Sequence, residues 1–127
     1  MSIAYKKTKR IKPGTKGRNK KYYATLVNSG YSDINDILTV INSKTRLHPA
    51  DFIKMLYALH DAMIEELSNG KIIRLGPLGN FRLGIKSKGH VNARDVNPES
   101  IIEVNILYNP CKKIKETIKD FTFYEQL

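Results

Sequence analysis

The sequence predicts an α+β fold in which two amphipathic helices precede a small β-sheet. Apolar residues recur at helical spacing over 34–41 and again over 52–67. The next stretch, 70–83, has two short apolar runs on either side of Gly-Pro-Leu-Gly, a pattern typical of strand, tight turn and strand. Alternating apolar residues over 101–108 predict a further strand.

Each predicted helix has a recognisable start, and the second has a clear end. Ser32 or Asp33 can cap the first helix. The second begins after His48, where Pro49 suits the first helical position, and stops at Gly70. The apolar stripes consist of Ile34, Ile37, Leu38 and Ile41 in the first helix and of Phe52, Met55, Leu56, Leu59, Met63 and Leu67 in the second.

The chain after the Gly-Pro-Leu-Gly corner alternates between regular and irregular stretches. A strand is expected at 80–86, followed by a polar, irregular segment at 87–100. The strand at 101–108 leads into a short basic helix over 111–120. Residues 121–124 are a candidate final strand because they are rich in aromatic residues.

Positive charge is concentrated at the N-terminus. The net charge is +10, and residues 1–21 hold nine of the 22 basic residues and no acidic residue. Such a block favours polyanions, nucleic acid first and an anionic membrane surface second. The alternative is a solvated, disordered tail. The nine residues, all candidate DNA contacts, are Lys6, Lys7, Lys9, Arg10, Lys12, Lys16, Arg18, Lys20 and Lys21.

The same N-terminal segment has a strand-like composition. Stretches 2–11 and 21–27 are rich in β-favouring residues, which predicts two strands joined by a basic loop. Tyr5, Tyr22 and Tyr23 lie among lysines. They either form a stacking platform for bases or pack within a sheet, and packing is the commoner use of such residues.

Several classes of function are disfavoured. No apolar run approaches the roughly 18 residues of a membrane span, and the N-terminus lacks the apolar core of a secretory signal. Cys111 is the only cysteine, so no internal disulfide can form and a cytoplasmic setting is the simplest interpretation. No Cys/His spacing suits a metal, no carboxylate pair suggests acid–base catalysis, and no phosphate-binding loop is present. We therefore expect no catalytic residues, metal, cofactor or small-molecule substrate.

The order of elements and two motifs resemble the bacterial histone-like HU/IHF family of DNA-binding proteins. The first motif, Leu-Gly-Pro-Leu-Gly-Asn-Phe at 75–81, follows a helix, Asn-Gly-Lys and a strand. The second is Tyr-Asn-Pro-Cys-Lys at 108–112, where the family usually has Phe-x-Pro-Gly-Lys. The resemblance divides the chain into a basic N-terminal extension at 1–30, an HU-like DNA-binding domain at 31–120 and a C-terminal tail at 121–127. The extension and the tail resemble those of a subgroup of HU-like bacterial proteins that have longer chains.

The resemblance implies an intertwined homodimer with the IHF-like DNA-binding fold. In that fold a helical base supports a β-saddle, and two β-arms reach around the DNA minor groove. The implied function is non-sequence-specific binding of double-stranded DNA by an architectural protein of the nucleoid that condenses DNA in the cytoplasm. The residues implied as DNA contacts are Arg74 and Arg82 on the saddle, Lys86 and Lys88 at the arm base, Arg94 in the arm, and Lys112 and Lys113 at the start of the last helix.

The expected arm tip departs from the family pattern. The family usually places an Arg-Asn-Pro triplet there, whose proline wedges into a base step. Asn97-Pro98 lies too close to the following strand and better matches the returning base of the arm. The tip is then about 89–96, which holds His90 and Arg94 but no proline. We therefore expect less DNA kinking than in proline-tipped members of the family.

Two other functions stay open at this point. One is a protein-interaction or assembly module built on an HU-like scaffold with weak DNA binding, which the reduced arm supports and the basic N-terminal block opposes. The other is an RNA-binding protein, because backbone charge alone does not distinguish RNA from DNA.

Overall fold

Two three-stranded sheets and three helices make up the part of the chain that the computed structural model describes, residues 2–11 and 20–127. The predicted elements are confirmed in their order. They are β1 (Ser2–Ile11), β2 (Lys20–Leu26), α1 (Ile34–Lys44), α2 (Pro49–Ser68), β3 (Ile73–Arg74), β4 (Asn80–Ser87), β5 (Ile101–Asn109), α3 (Lys112–Ile118) and β6 (Thr122–Glu125).

The helix starts follow from their capping residues. At α1, the Asp36 carboxylate accepts a hydrogen bond from the Asp33 backbone N–H at 3.0 Å, which identifies Asp33 as the cap. At α2, the His48 imidazole Nδ1 accepts from the Ala50 backbone N–H at 3.2 Å, and Pro49 occupies the first helical position. The sequence-based interpretation of His48 as a helix-start residue is thus confirmed.

Strands β3, β4 and β5 form the hairpin sheet, in that order, with antiparallel neighbours. The Gly-Pro-Leu-Gly corner between β3 and β4 is a 3-10 turn over Gly76–Leu78. Gly79 follows it with φ of 103°, a conformation that side chains resist. A Cβ atom at Gly79 would collide with the Asn109 carbonyl oxygen and lie 2.9 Å from Pro110 Cα. The glycine therefore lets the turn approach the end of β5.

Strands β2, β1 and β6 form the N-terminal sheet, with β1 in the centre. β1 pairs antiparallel with β2, where Tyr5 is opposite Leu26, and parallel with β6, where Ile3 is opposite Phe123. The candidate final strand is thus confirmed, and it joins the extension to the tail. Two side-chain hydrogen bonds cross this sheet, between the Thr8 and Thr25 hydroxyls at 2.8 Å and between those of Ser2 and Thr122 at 2.7 Å.

The segment expected to form a β-arm is a compact loop. The β4–β5 ladder ends at Ser87, next to a bulge, and the Lys88 N–H donates to the Ser100 carbonyl at 2.8 Å. Two 3-10 turns, Ala93–Asp95 and Pro98–Ser100, stand where the two strands of a β-arm were expected. Pro98 has no N–H for a ladder, and Asn97 caps its turn by accepting from the Glu99 N–H at 2.9 Å. Asn97-Pro98 does lie at the base of the loop, at the start of the turn that leads into β5, as predicted.

Few side chains are buried in residues 2–11 and 20–127. Among the described residues, the buried apolar side chains are those of Ala4 and Leu38. The accessible surface is 11303 Å², about 1.6 times the roughly 6,900 Å² expected for a folded monomer of 14.5 kDa. Within residues 2–11 and 20–127, no helix combines the length and apolar character needed to cross a bilayer.

Candidate nucleic-acid interface

The hairpin sheet has one polar face that gathers several predicted DNA contacts. Because directly opposed residues of neighbouring strands share a face, the register determines its members. Its cations are all exposed, and Glu103, opposite Lys86, brings one negative charge to the same face. The polar face consists of Arg74 from β3, Asn80, Arg82, Gly84 and Lys86 from β4, and Glu103, Asn105, Leu107 and Asn109 from β5.

Gly84 leaves room for two side chains of β5 in the middle of this polar face. It lies between Arg82 and Lys86 along β4, opposite Asn105. A Cβ atom at this position would collide with the Asn105 side-chain oxygen and come within 3.0 Å of Leu107 Cδ1. The Asn105 and Leu107 side chains of β5 therefore occupy the space next to Gly84, between the two flanking cations.

The opposite face of the hairpin sheet is apolar and largely uncovered. The Phe81 and Tyr108 rings pack with centroids 4.9 Å apart near the corner. Farther along the strands, Ile85 and Val104 are each 60% exposed, although they are directly opposite each other. Apolar patches of this kind mark a surface that another molecule covers. The apolar face consists of Ile73, Phe81, Leu83 and Ile85 with Val104, Ile106 and Tyr108.

The remaining predicted contacts of the HU-like region lie away from the polar face. Lys88 and Arg94 belong to the 88–100 loop, where Ser100 is the buried centre. Lys112 and Lys113 begin α3, as predicted. Lys112 is 3.9 Å from the Glu116 carboxylate, but both side chains are highly exposed, so the ion pair restrains the lysine little.

The basic residues of the N-terminal extension are divided between two faces. By the register of β1 and β2, Lys6, Arg10 and Lys21 share one face of the N-terminal sheet, and Lys7, Lys9 and Lys20 share the other. On the second face, Lys7 Nζ is 3.3 Å from Glu125 Oε1, and Lys9 Nζ is 5.5 Å from the centroid of the Tyr22 ring. Lys12, Lys16 and Arg18, also predicted as DNA contacts, lie outside the described residues.

The structure thus places Arg74, Arg82 and Lys86 on one face of the hairpin sheet. The other predicted contacts among the described residues lie in the 88–100 loop, at the start of α3 and on the N-terminal sheet. Sequence reasoning missed Asn80, Asn105 and Asn109, which share the polar face with these cations. The sequence did contain a signal for Asn80. Every second residue of a strand lies on the same face, so Asn80 and Lys86 share a face with Arg82 in the predicted strand. Amide side chains both donate and accept hydrogen bonds, which suits a surface that contacts phosphate and sugar groups.

Cysteine and acidic residues add no chemistry to these surfaces. The Cys111 thiol lies beside an apolar groove lined also by Pro77, Ile114 and Phe121. In the part of the chain that the structure describes, no three His, Cys, Asp or Glu residues cluster in a way that could hold a metal ion.

Comparison with known proteins agrees with this geometry. Residues 1–125 match the model of the HU-HIG family, described as an HU domain fused to a wHTH, Ig or glycine-rich motif. The comparison with curated proteins gives no match. Among solved structures, the chain is similar to a proposed bacterial DNA-binding protein from Bacteroides vulgatus ATCC 8482, with a TM-score of 0.62 at 14% sequence identity. The alignment covers 98% of this chain and 48% of that one, so the chain spans about half the length of its structural relative.

Proposed function

The chain belongs to the HU-HIG family of HU domains, and we propose that it binds double-stranded DNA with little sequence preference. The observation that carries the proposal is the polar face of the hairpin sheet, where Arg74, Arg82 and Lys86 lie among three asparagines. Cations on one exposed face can neutralise phosphates and release counterions, which gives affinity without reading bases. We further propose an architectural role in the nucleoid and, with it, a cytoplasmic location.

We propose a homodimer as the DNA-binding form. The apolar face of the hairpin sheet is uncovered, and the accessible surface is far larger than that of a self-contained monomer of this mass. A second copy of the chain supplies an apolar surface of matching kind, and obligate dimers of this type have no stable folded monomer. Two copies would also present two polar faces, which doubles the number of cations available to one DNA duplex.

The N-terminal sheet supplies further nonspecific affinity in this proposal. Lys6, Arg10 and Lys21 on one face are not members of the observed ion pairs, whereas Lys7 on the other is paired with Glu125. Deleting the extension would not test this, because β1 is the central strand of its sheet. Substituting Lys6 and Arg10 by glutamine removes the charge and keeps the strand. Each phosphate that the variant no longer neutralises should flatten the salt dependence of binding by about 0.9 in the log–log slope.

The test is a binding series with two unrelated DNA duplexes of equal length and one RNA duplex, over a range of salt concentrations. We expect the two DNA duplexes to bind within a few-fold of each other, more tightly than the RNA. A strong preference for one DNA sequence would contradict nonspecific binding, and tighter binding to RNA would favour an RNA-binding function.

A second candidate function is an assembly module that uses the same dimer with weak DNA binding. The observation that favours it is the compact 88–100 loop, which lacks the ladder of an extended arm. A dimer that binds no duplex at low salt would favour this alternative over the DNA-binding proposal.

A further inference from the structure

One face of the N-terminal sheet combines exposed aromatic rings with lysines. We call it the Tyr22 face. Tyr22 is 68% exposed and Phe123 is 56% exposed, so more than half of each side chain is accessible to a ligand. Every strand of the sheet contributes one ring to this face. By the register, the Tyr22 face consists of Ile3, Tyr5, Lys7, Lys9 and Ile11 from β1, Lys20, Tyr22, Ala24 and Leu26 from β2, and Phe123 and Glu125 from β6.

The two neighbouring tyrosines of β2 differ in their surroundings. Tyr23 points to the other face, opposite Thr8, and is only 39% exposed. That other face carries the Thr8–Thr25 hydroxyl pair and the buried Ala4, so part of it is already occupied. Packing therefore accounts better for Tyr23 than for Tyr22. The exposed Tyr22 ring is therefore available to a ligand, and Lys9 of the same face lies beside it.

The lysines of the Tyr22 face favour an anionic ligand, and its exposed rings favour a ligand with flat groups that can stack on them. Lys9 Nζ lies 5.5 Å from the Tyr22 ring centroid, and Lys7 and Lys20 belong to the same face. Glu125 offsets one of these charges through its ion pair with Lys7. A positively charged surface bearing exposed aromatic rings is how proteins bind single strands, since every base can stack on a ring while lysines contact phosphates.

We propose that the Tyr22 face binds the unpaired nucleotides of a single nucleic-acid strand. Tyr22 stacks on a base, Phe123 offers a second ring, and Lys9 and Lys20 contact the backbone phosphates. A duplex keeps its bases stacked on one another, so it would use only the lysines of this face. The site is separate from the polar face of the hairpin sheet, and the proposal stands independently of duplex binding.

The test measures the binding of a short fluorescent oligothymidine to the full chain and to two variants, Tyr22→Ala and Tyr23→Ala. Both substitutions remove one tyrosine from the same strand, on opposite faces. We expect Tyr22→Ala to weaken single-strand binding on the order of ten-fold and Tyr23→Ala to change it much less. Tyr22→Phe should retain the affinity because it keeps the ring. Circular dichroism checks the fold, and Tyr22→Val, a residue that strands favour, replaces the alanine variant if that one unfolds.

The outcomes separate this proposal from the proposed function. Equal losses of affinity in Tyr22→Ala and Tyr23→Ala, or no binding of oligothymidine by the unaltered chain at low salt, would overturn it. A single-stranded oligouridine of the same length shows whether the natural strand is DNA or RNA, and preference for either one supports the site. Failure of duplex DNA to bind, with single-strand binding intact, would overturn the proposed function and leave this inference standing.

Discussion

The Tyr108 hydroxyl donates a hydrogen bond to the Leu78 carbonyl oxygen at 2.7 Å, across a separation of 30 residues. This bond ties the end of β5 to the 3-10 turn that precedes β4. The Tyr108 ring also packs on Phe81, at a centroid distance of 4.9 Å. The two contacts act with Gly79 to fix the corner from which the strands of the polar face run.

Removing this hydroxyl should destabilise the corner without disturbing its packing. We expect Tyr108→Phe to lower the free energy of unfolding by about 0.5–1.5 kcal/mol, because the ring stays and one hydrogen bond is removed. Urea denaturation at a fixed protein concentration measures the change. Tyr31→Phe is the matched control, since the Tyr31 side chain is 90% exposed. Equal effects of the two substitutions would show that the Tyr108 bond contributes nothing.

Gly79→Ala should destabilise the chain more strongly. The positive φ alone costs on the order of 1–3 kcal/mol for a residue with a side chain, and the added Cβ would also collide with the Asn109 carbonyl. Gly89→Ala is the control, because a Cβ at Gly89 meets no atom within 4 Å. We expect that variant to stay within about 0.5 kcal/mol of the unaltered chain. Similar unfolding midpoints for the two variants would contradict the role assigned to Gly79.

The elements and the corner could be predicted because their signals are local. Periodicity located both long helices, and the alternation over 101–108 located β5. The pairing of β6 with β1 could not be predicted, since it joins Ser2 to Thr122 and no local pattern encodes such a contact. Strand alternation places Lys6 and Lys7 on opposite faces, but the sequence could not show that the Lys7 face also carries Glu125 of β6. The compact 88–100 loop depends on hydrogen bonds to the buried Ser100, which composition alone does not reveal.

A substitution on the apolar face should disrupt the proposed homodimer. Ile106→Asn introduces a polar amide where we expect a second copy to pack, so the dimer should dissociate or unfold. Leu107→Asn is the matched control, because Leu107 follows Ile106 in β5 but lies on the polar face. Light scattering at micromolar concentration measures the mass of each variant. A stable, folded monomer of the unaltered chain would contradict the dimer itself.

The 88–100 loop should bend DNA less than a proline-tipped arm does. Val91 is fully exposed, but it lacks the rigid ring of proline, and Pro98 lies at the loop base. We expect Pro98→Ala to leave bending unchanged and Arg94→Ala to weaken binding modestly, since arginine is attracted to a narrow minor groove. Energy transfer between dyes at the ends of a short duplex measures the bend. A strong bend that collapses in Pro98→Ala would show that Asn97-Pro98 acts as the wedge.

The central claim is that the polar face of the hairpin sheet contacts DNA phosphates. A test by substitution of its cations needs a control variant that loses the same charge elsewhere on the chain. Lys44, Arg46 and Lys54 belong to the helical region and are exposed. Replacing all three by glutamine removes as much charge as replacing Arg74, Arg82 and Lys86, so net charge alone would affect both triple variants alike.

The most direct measurement is the salt dependence of duplex DNA affinity for these two triple variants and the unaltered chain. We predict that the Arg74, Arg82 and Lys86 variant binds more weakly and has a shallower log–log slope, by about 0.9 for each phosphate that it no longer neutralises. The Lys44, Arg46 and Lys54 variant should keep the slope of the unaltered chain. Identical slopes for all three proteins, or equal flattening in both variants, would contradict the assignment of the polar face as the DNA-binding surface.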